Sequence, residues 1–139
     1  MEGEYVERWE PVDGITTPIA RALVSEDALG LSTTLKFSEI TDGNGKDLRI
    51  AFGRVPAYAV HEEFVHPWGF ASDTALGGRW ENTQFPLLRV INSVWLQSFA
   101  FENLLNWPGC IHYRILTLDQ IVDVLSNKVP EAIWIDPAD

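Results

Sequence analysis

The chain has 139 residues, of which 46% are hydrophobic, and this excludes a disordered protein, whose apolar surface is too small to offset the entropy of ordering. Twenty acidic residues against ten basic ones leave a formal net charge of −10, which argues against nucleic acid or an anionic membrane, where clustered Lys and Arg supply the affinity. No apolar run approaches the ~20 residues of a membrane span. A single cysteine, Cys110, forbids a disulfide within the chain, and the acidic start Met1-Glu2-Gly3-Glu4-Tyr5 lacks the basic and apolar regions of a signal peptide. Together these lead to the expectation of a cytoplasmic protein.

Residues 1–18 read as a peripheral N-terminal arm, acidic at Glu2, Glu4, Glu7, Glu10 and Asp13 and interrupted by Pro11, Gly14 and Pro18. One short strand is expected there, over Tyr5-Val6-Glu7-Arg8-Trp9. From residue 19 to 139 the chain reads as a single domain. Its clearest local signal is a hairpin. Residues 31–40 place Leu31, Thr33, Leu35, Phe37 and Glu39 on one face, and residues 48–55 place Leu48, Ile50 and Phe52 on one face. Between them lies Thr41-Asp42-Gly43-Asn44-Gly45-Lys46-Asp47, and Asn-Gly between alternating segments is the strongest short-range hairpin signal. Pro56 is expected to bend or end the second strand, with Ala57-Tyr58-Ala59-Val60-His61 as its continuation after a bulge if it bends.

Residues 61–84 are irregular, with Pro67, Gly69, Gly77 and Gly78, and so long a connection in a compact domain is often functional. A strand follows over 86–91. Residues 94–106 carry apolar side chains at helical spacing, as in Trp95/Phe99 and Phe101/Leu104/Leu105, with Asn92 or Ser93 as the cap and Pro108-Gly109 as the stop. Residues 111–116 read as a strand. Residues 118–127 fit either a helical stripe or a strand, and the β-branched Ile-Val-Asp-Val run favours the strand, paired back on 111–116. Ala132-Ile133-Trp134-Ile135 closes the chain as an edge strand. The expected fold is α+β, a predominantly antiparallel sheet with one packed α-helix at about 94–106.

Several patterns approach a chemical motif without completing it. His61-Glu62-Glu63-Phe64-Val65-His66 spaces its histidines five apart beside Pro67, whereas a zinc helix needs them four apart. Asp42-Gly43-Asn44-Gly45-Lys46-Asp47 puts a lysine where a calcium loop needs a ligand, and Gly53 falls where it needs a bidentate glutamate. Cys110 and His112 point to one face if both lie in a strand, so a thiol and its base could be neighbours; the stronger reading is a small core residue, since free Cys is commonly one and no third member of a relay is evident. Asp119 and Asp123 share a face, with a solvated surface as their ordinary fate. No metal and no cofactor is expected. Six tryptophans are many for this length, and such rings either fill a small core or form an interaction surface.

The C-terminal half, through Trp95-Leu96 with Phe99, then Ile111-His112-Tyr113-Arg114-Ile115, then Asp123-Val124-Leu125-Ser126 and Pro130, resembles a group of small bacterial proteins similar in style to immunity proteins encoded beside secreted toxins. The resemblance covers about 45 residues, rests on hydrophobic and aromatic positions, and brings no active site with it. It implies a cytoplasmic, immunity-like binding protein of bacterial origin, whose acidic charge suits a basic toxin domain.

The leading expectation is a non-catalytic protein-binding module with a basic protein partner. Its contact residues are expected in the irregular segment, at Glu62, Glu63, Trp68, Phe70, Asp73 and Trp80, because aromatics flanked by charge are the anatomy of binding hot spots. A second expectation is a small enzyme or a ligand- or metal-binding domain that uses His61, His66, His112 and Cys110. A third is a homodimer that buries the excess aromatic surface in itself.

Overall fold

The computed structural model describes residues 3–15, 20–37, 45–62, 85–118 and 120–137. They form nine strands in two antiparallel sheets: β1 (Tyr5–Arg8), β2 (Ala20–Asp27), β3 (Gly30–Phe37), β4 (Asp47–Gly53), β5 (Ala57–Glu62), β6 (Leu87–Ile91), β7 (Ile111–Leu116), β8 (Gln120–Ser126) and β9 (Glu131–Ile135). The first sheet has the order β1-β6-β7-β8-β5 and the second β2-β3-β4-β9. Among the described residues one α-helix, α1 (Val94–Ser98), and a 3₁₀ turn, Phe101–Leu104, occupy the connection from β6 to β7.

The core lies where period-2 alternation puts it. Leu31, Thr33 and Leu35 of β3 and Leu48, Ile50 and Phe52 of β4 are buried, as expected of the hairpin's apolar face; Glu39 and residues 41–44 of the expected turn lie outside the described residues. From the first sheet Tyr113 and Ile115 of β7 and Val122 and Val124 of β8 join the same cluster. Tyr113 meets Phe52 across the sheets with ring centroids 6.0 Å apart, and Trp9 stacks on Tyr113 at 4.9 Å. Each fully buried aliphatic side chain here contributes roughly 1.5–3 kcal/mol. The expected arm at 1–18 holds its strand: β1 pairs with β6 in the register Val6↔Val90, and Val6 and Trp9 are core residues.

The structure changes three expectations. The fold is mainly β, with the helix a minor element: α1 has five residues, none of them buried. The apolar spacing over 94–106 does not make one packed helix, because Phe99 and Ala100 take extended backbone angles (ψ 136° and 142°). A run this short gains little from propensity and depends on a buried face, which Phe101 and Leu105 do not supply, being 79% and 59% exposed. Second, β5 does not continue β4. Gly53, at φ 73°, ends a bulge in the β3–β4 register between Leu31 and Ser32, and a bulge bends its strand. The chain then passes through Pro56 into the other sheet, where β5 pairs with β8. Third, β2 is an addition, an edge strand with Ala20 buried and Arg21, Leu23 and Ser25 exposed. Its small inward side chains gave no strong alternation. Residues 120–126 form the expected strand, paired with β7, and β9 is the expected edge strand, paired with β4.

Candidate functional site

Strands β7 and β8 bring three charged or titratable side chains to one buried site. In their register Arg114 faces Asp123 directly and His112 faces Leu125, so the three lie on the face opposite Tyr113 and Ile115. His112 and Asp123 have no exposed surface and Arg114 is 2% exposed. An isolated buried charge is too costly to persist, and here it is compensated. Arg114 Nε donates to Asp123 Oδ1 at 2.8 Å, and His112 Nε2 lies 2.5 Å from the same oxygen. His61, on β5, completes the surround, with Nε2 4.0 Å from Asp123 Oδ2.

The proton positions follow from the partners. A carboxylate only accepts, so His112 Nε2 carries the hydrogen and Nδ1 of the neutral ring is an acceptor. Ser93 Oγ, 2.6 Å from Nδ1, therefore donates to it. Burial pushes the His112 imidazole below its ordinary value near 6.5, outweighing the upward pull of Asp123, so the ring is neutral at neutral pH. The result is a continuous chain, Ser93 O–H to His112 to Asp123, with Arg114 balancing the carboxylate.

Ser93 reaches this position through the end of β6. Asn92 adopts the left-handed conformation (φ 56°), which Asn tolerates better than most residues, and turns the chain sharply from strand into α1. Ser93 is the N-cap, its Oγ accepting from Leu96 N at 3.0 Å. Glu4 Oε1 accepts from Val94 N at 2.9 Å, and Asn92 Nδ2 donates to the Gly3 carbonyl at 3.3 Å, so the N-terminal residues brace the same turn. Trp95 closes over His112 edge-on, ring centroids 5.1 Å apart.

Ser93 and His112 line a cavity of about 270 Å³, whose walls include Val90, Ile91, Leu96, Cys110 and Ile111. Burial pushes the Cys110 thiol up, so it is a protonated wall residue and no thiolate. His112 has both ring nitrogens committed to Ser93 and Asp123, so it is no base for Cys110. Asp123, expected on a solvated surface, is fully buried. Of the expected histidine pocket, His61 and His112 converge on Asp123 and His66 lies outside the described residues; among the described residues no group of three His, Cys, Asp or Glu is arranged to hold a metal ion.

Of the expected contact residues, Glu62 is exposed at the end of β5, while Glu63, Trp68, Phe70, Asp73 and Trp80 lie outside the described residues. The described tryptophans divide between core and periphery. Trp9 is 8% exposed, and Trp134 packs on Phe37 at 5.9 Å and donates to the Asp13 carbonyl. Trp107 borders a second cavity, about 360 Å³, with Glu26, Asp27, Arg54 and Tyr58. There the Tyr58 hydroxyl donates to Glu26 at 2.7 Å, joining β5 of one sheet to β2 of the other.

A surface feature accompanies the buried site. The connection Asn92–Ile111 carries one charged residue, Glu102, and exposes Val94, Phe101 and Leu105 at 56%, 79% and 59%. Among the described residues no helix is long and apolar enough to cross a membrane. No protein-family model matches the chain, and no curated protein and no solved structure is significantly similar to it.

Proposed function

We propose that the chain is a protein-binding module that docks a basic protein partner on the connection Asn92–Ile111. The observation that carries this reading is the apolar, almost uncharged surface of that connection in a chain of net charge −10. Depletion of charge with enrichment of aromatics is the composition of interface cores, and the negative net charge of the chain favours a cationic partner. A second copy of the chain brings the same net charge and is repelled by it. The immunity-like resemblance covers part of this connection, at Trp95, Leu96 and Phe99, and a basic toxin domain is the partner class that fits both.

The test compares capture by the wild-type chain with capture by a Phe101→Glu/Leu105→Glu variant, from host lysate containing the products of neighbouring genes. Both side chains are exposed, so the variant is expected to unfold at the wild-type temperature. The reading expects a basic protein that the wild type retains, that moderate salt releases, and that the variant loses. Equal retention by both chains, or no basic protein specific to the wild type, overturns it.

A further inference from the structure

Helix capping and charge balance leave one feature of the buried site unexplained. A cap at residue 93 requires only an acceptor, which Asn or Asp supplies as well as Ser. The Arg114–Asp123 pair requires no imidazole. Yet Ser93 turns its proton to His112 Nδ1 at 2.6 Å while Asp123 holds the opposite nitrogen, and both Ser93 and His112 face the 270 Å³ cavity. A hydroxyl bonded to a neutral imidazole that a carboxylate orients is the arrangement that activates a serine for acyl transfer. The ring is reversed, with serine on Nδ1 and carboxylate on Nε2, which is no obstacle to proton transfer because each nitrogen of a neutral imidazole has its role set by the proton on the other.

We propose that Ser93 is an acylatable nucleophile, with His112 as its general base and Asp123 as the residue that positions the imidazole, and that the cavity receives the short aliphatic acyl group of an ester. The Ser93 Oγ–carbonyl carbon bond forms as the Oγ proton passes to His112 Nδ1. The tetrahedral adduct then expels the alcohol oxygen, which takes that proton from Nδ1 and leaves as the alcohol. A water molecule repeats the sequence on the acyl-serine, giving the carboxylic acid and free Ser93. Asp123 stays ionised throughout, held by Arg114. Val90, Ile91, Leu96 and Ile111 line the cavity together with Arg89, Asn92 and Gln97, and a mostly apolar lining of this size suits a short hydrocarbon acyl chain. This activity goes beyond partner binding and does not require it.

The test treats the purified full-length protein, without any partner, with an alkyl fluorophosphonate and with p-nitrophenyl butyrate. The expected result is one phosphonyl adduct per chain, located on the Ser93 peptide, together with release of p-nitrophenol. Ser93→Asn keeps the cap and the fold and loses both signals. The labelling rate rises about tenfold per pH unit and levels off below pH 6.5, where His112 loses its proton. The groups that face the ring and set this midpoint are Asp123, Arg114 and Glu4, with Ser93 and Trp95 packed on it and Cys110 and Arg89 across the cavity. In Asp123→Asn the rate falls more than tenfold and the midpoint moves lower, since the carboxylate pulls the imidazole upward. Absence of a Ser93 adduct on the folded protein, or labelling that a folded Ser93→Asn protein retains, overturns the assignment. A folded Asp123→Asn protein with unchanged rate and midpoint removes Asp123 from it.

Discussion

Inside the first sheet a carboxylate, a guanidinium and an imidazole share a buried site, so each depends on the others to offset the cost of its burial. Removing Asp123 takes a carboxylate partner from the buried Arg114, and breaking a buried pair in this way costs about 3–5 kcal/mol. Asp123→Ala is therefore expected to lower the urea midpoint at pH 7 by that amount of free energy, far more than a surface Asp→Ala change. The same site makes stability depend on pH. The folded protein holds His112 below the ordinary value near 6.5, so below that value the unfolded chain binds a proton that the folded protein refuses. Stability is at its plateau above about pH 6.5 and is lost as the pH falls toward the folded value. Urea unfolding at intervals between pH 5 and 7.5 checks this, with the slope at pH 5.5–6.5 reduced in a folded His112→Asn variant.

At the scale of elements, two turns decide how the strands are routed. Gly30, at φ 113°, opens β3 beside Gly53, and a Cβ added to it would stand 2.1 Å from the Gly53 carbonyl carbon. That backbone cannot move aside without disturbing the bulge that sends the chain from β4 to β5. Gly30→Ala is accordingly expected to cost more than about 1 kcal/mol, read as a drop in the thermal midpoint, whereas Gly45→Ala, which meets no atom within 4 Å, costs only its backbone strain at φ 79°. The other turn is Asn92-Ser93, which ends β6 and starts α1. The hairpin, β6, β7, β8 and β9 were legible because alternation, β-branched residues and Gly/Pro punctuation all agreed. The helix over 94–106 was over-read: Phe101, Leu104 and Leu105 recur at helical spacing, but spacing counts toward a helix only if the face it makes is buried.

For the whole molecule, the acidic surplus is a cost that tertiary pairing relieves among the described residues at points such as Lys36 with Asp47 at 2.8 Å and Arg89 with Glu7 at 2.8 Å. A net charge of −10 works against the compact state, and salt screens it, with a Debye length of about 10 Å at 0.1 M. The thermal midpoint at pH 7.5 is expected to rise between 10 mM and 150 mM sodium chloride; a fall would mean that the attractive pairs outweigh the repulsion. The core is held by contacts distant in sequence, Trp9 and Phe52 both meeting Tyr113, so Ile50→Ala at 0% exposure is expected to cost about 2–5 kcal/mol in the same measurement.

By itself the sequence determined the acidic, strand-rich character of this protein, the β3–β4 hairpin and the β7–β8 pair, because these follow from composition and from side-chain period along contiguous residues. It also held a signal for the buried site that pattern reading passed over. Asp123 interrupts the apolar run Ile121-Val122-Asp123-Val124-Leu125, and a strand apolar on both faces is buried on both faces, so its one carboxylate needs a buried partner. Which partner was a matter for tertiary structure. Ser93, His112 and Asp123 are separated by 19 and 11 positions, and they meet only because β6, β7 and β8 lie side by side with a left-handed residue turning Ser93 inward. Sheet membership was decided the same way: a bulge at Gly53 and the burial of Tyr113 against Phe52 set which strands share a sheet, and neither has a local pattern to announce it.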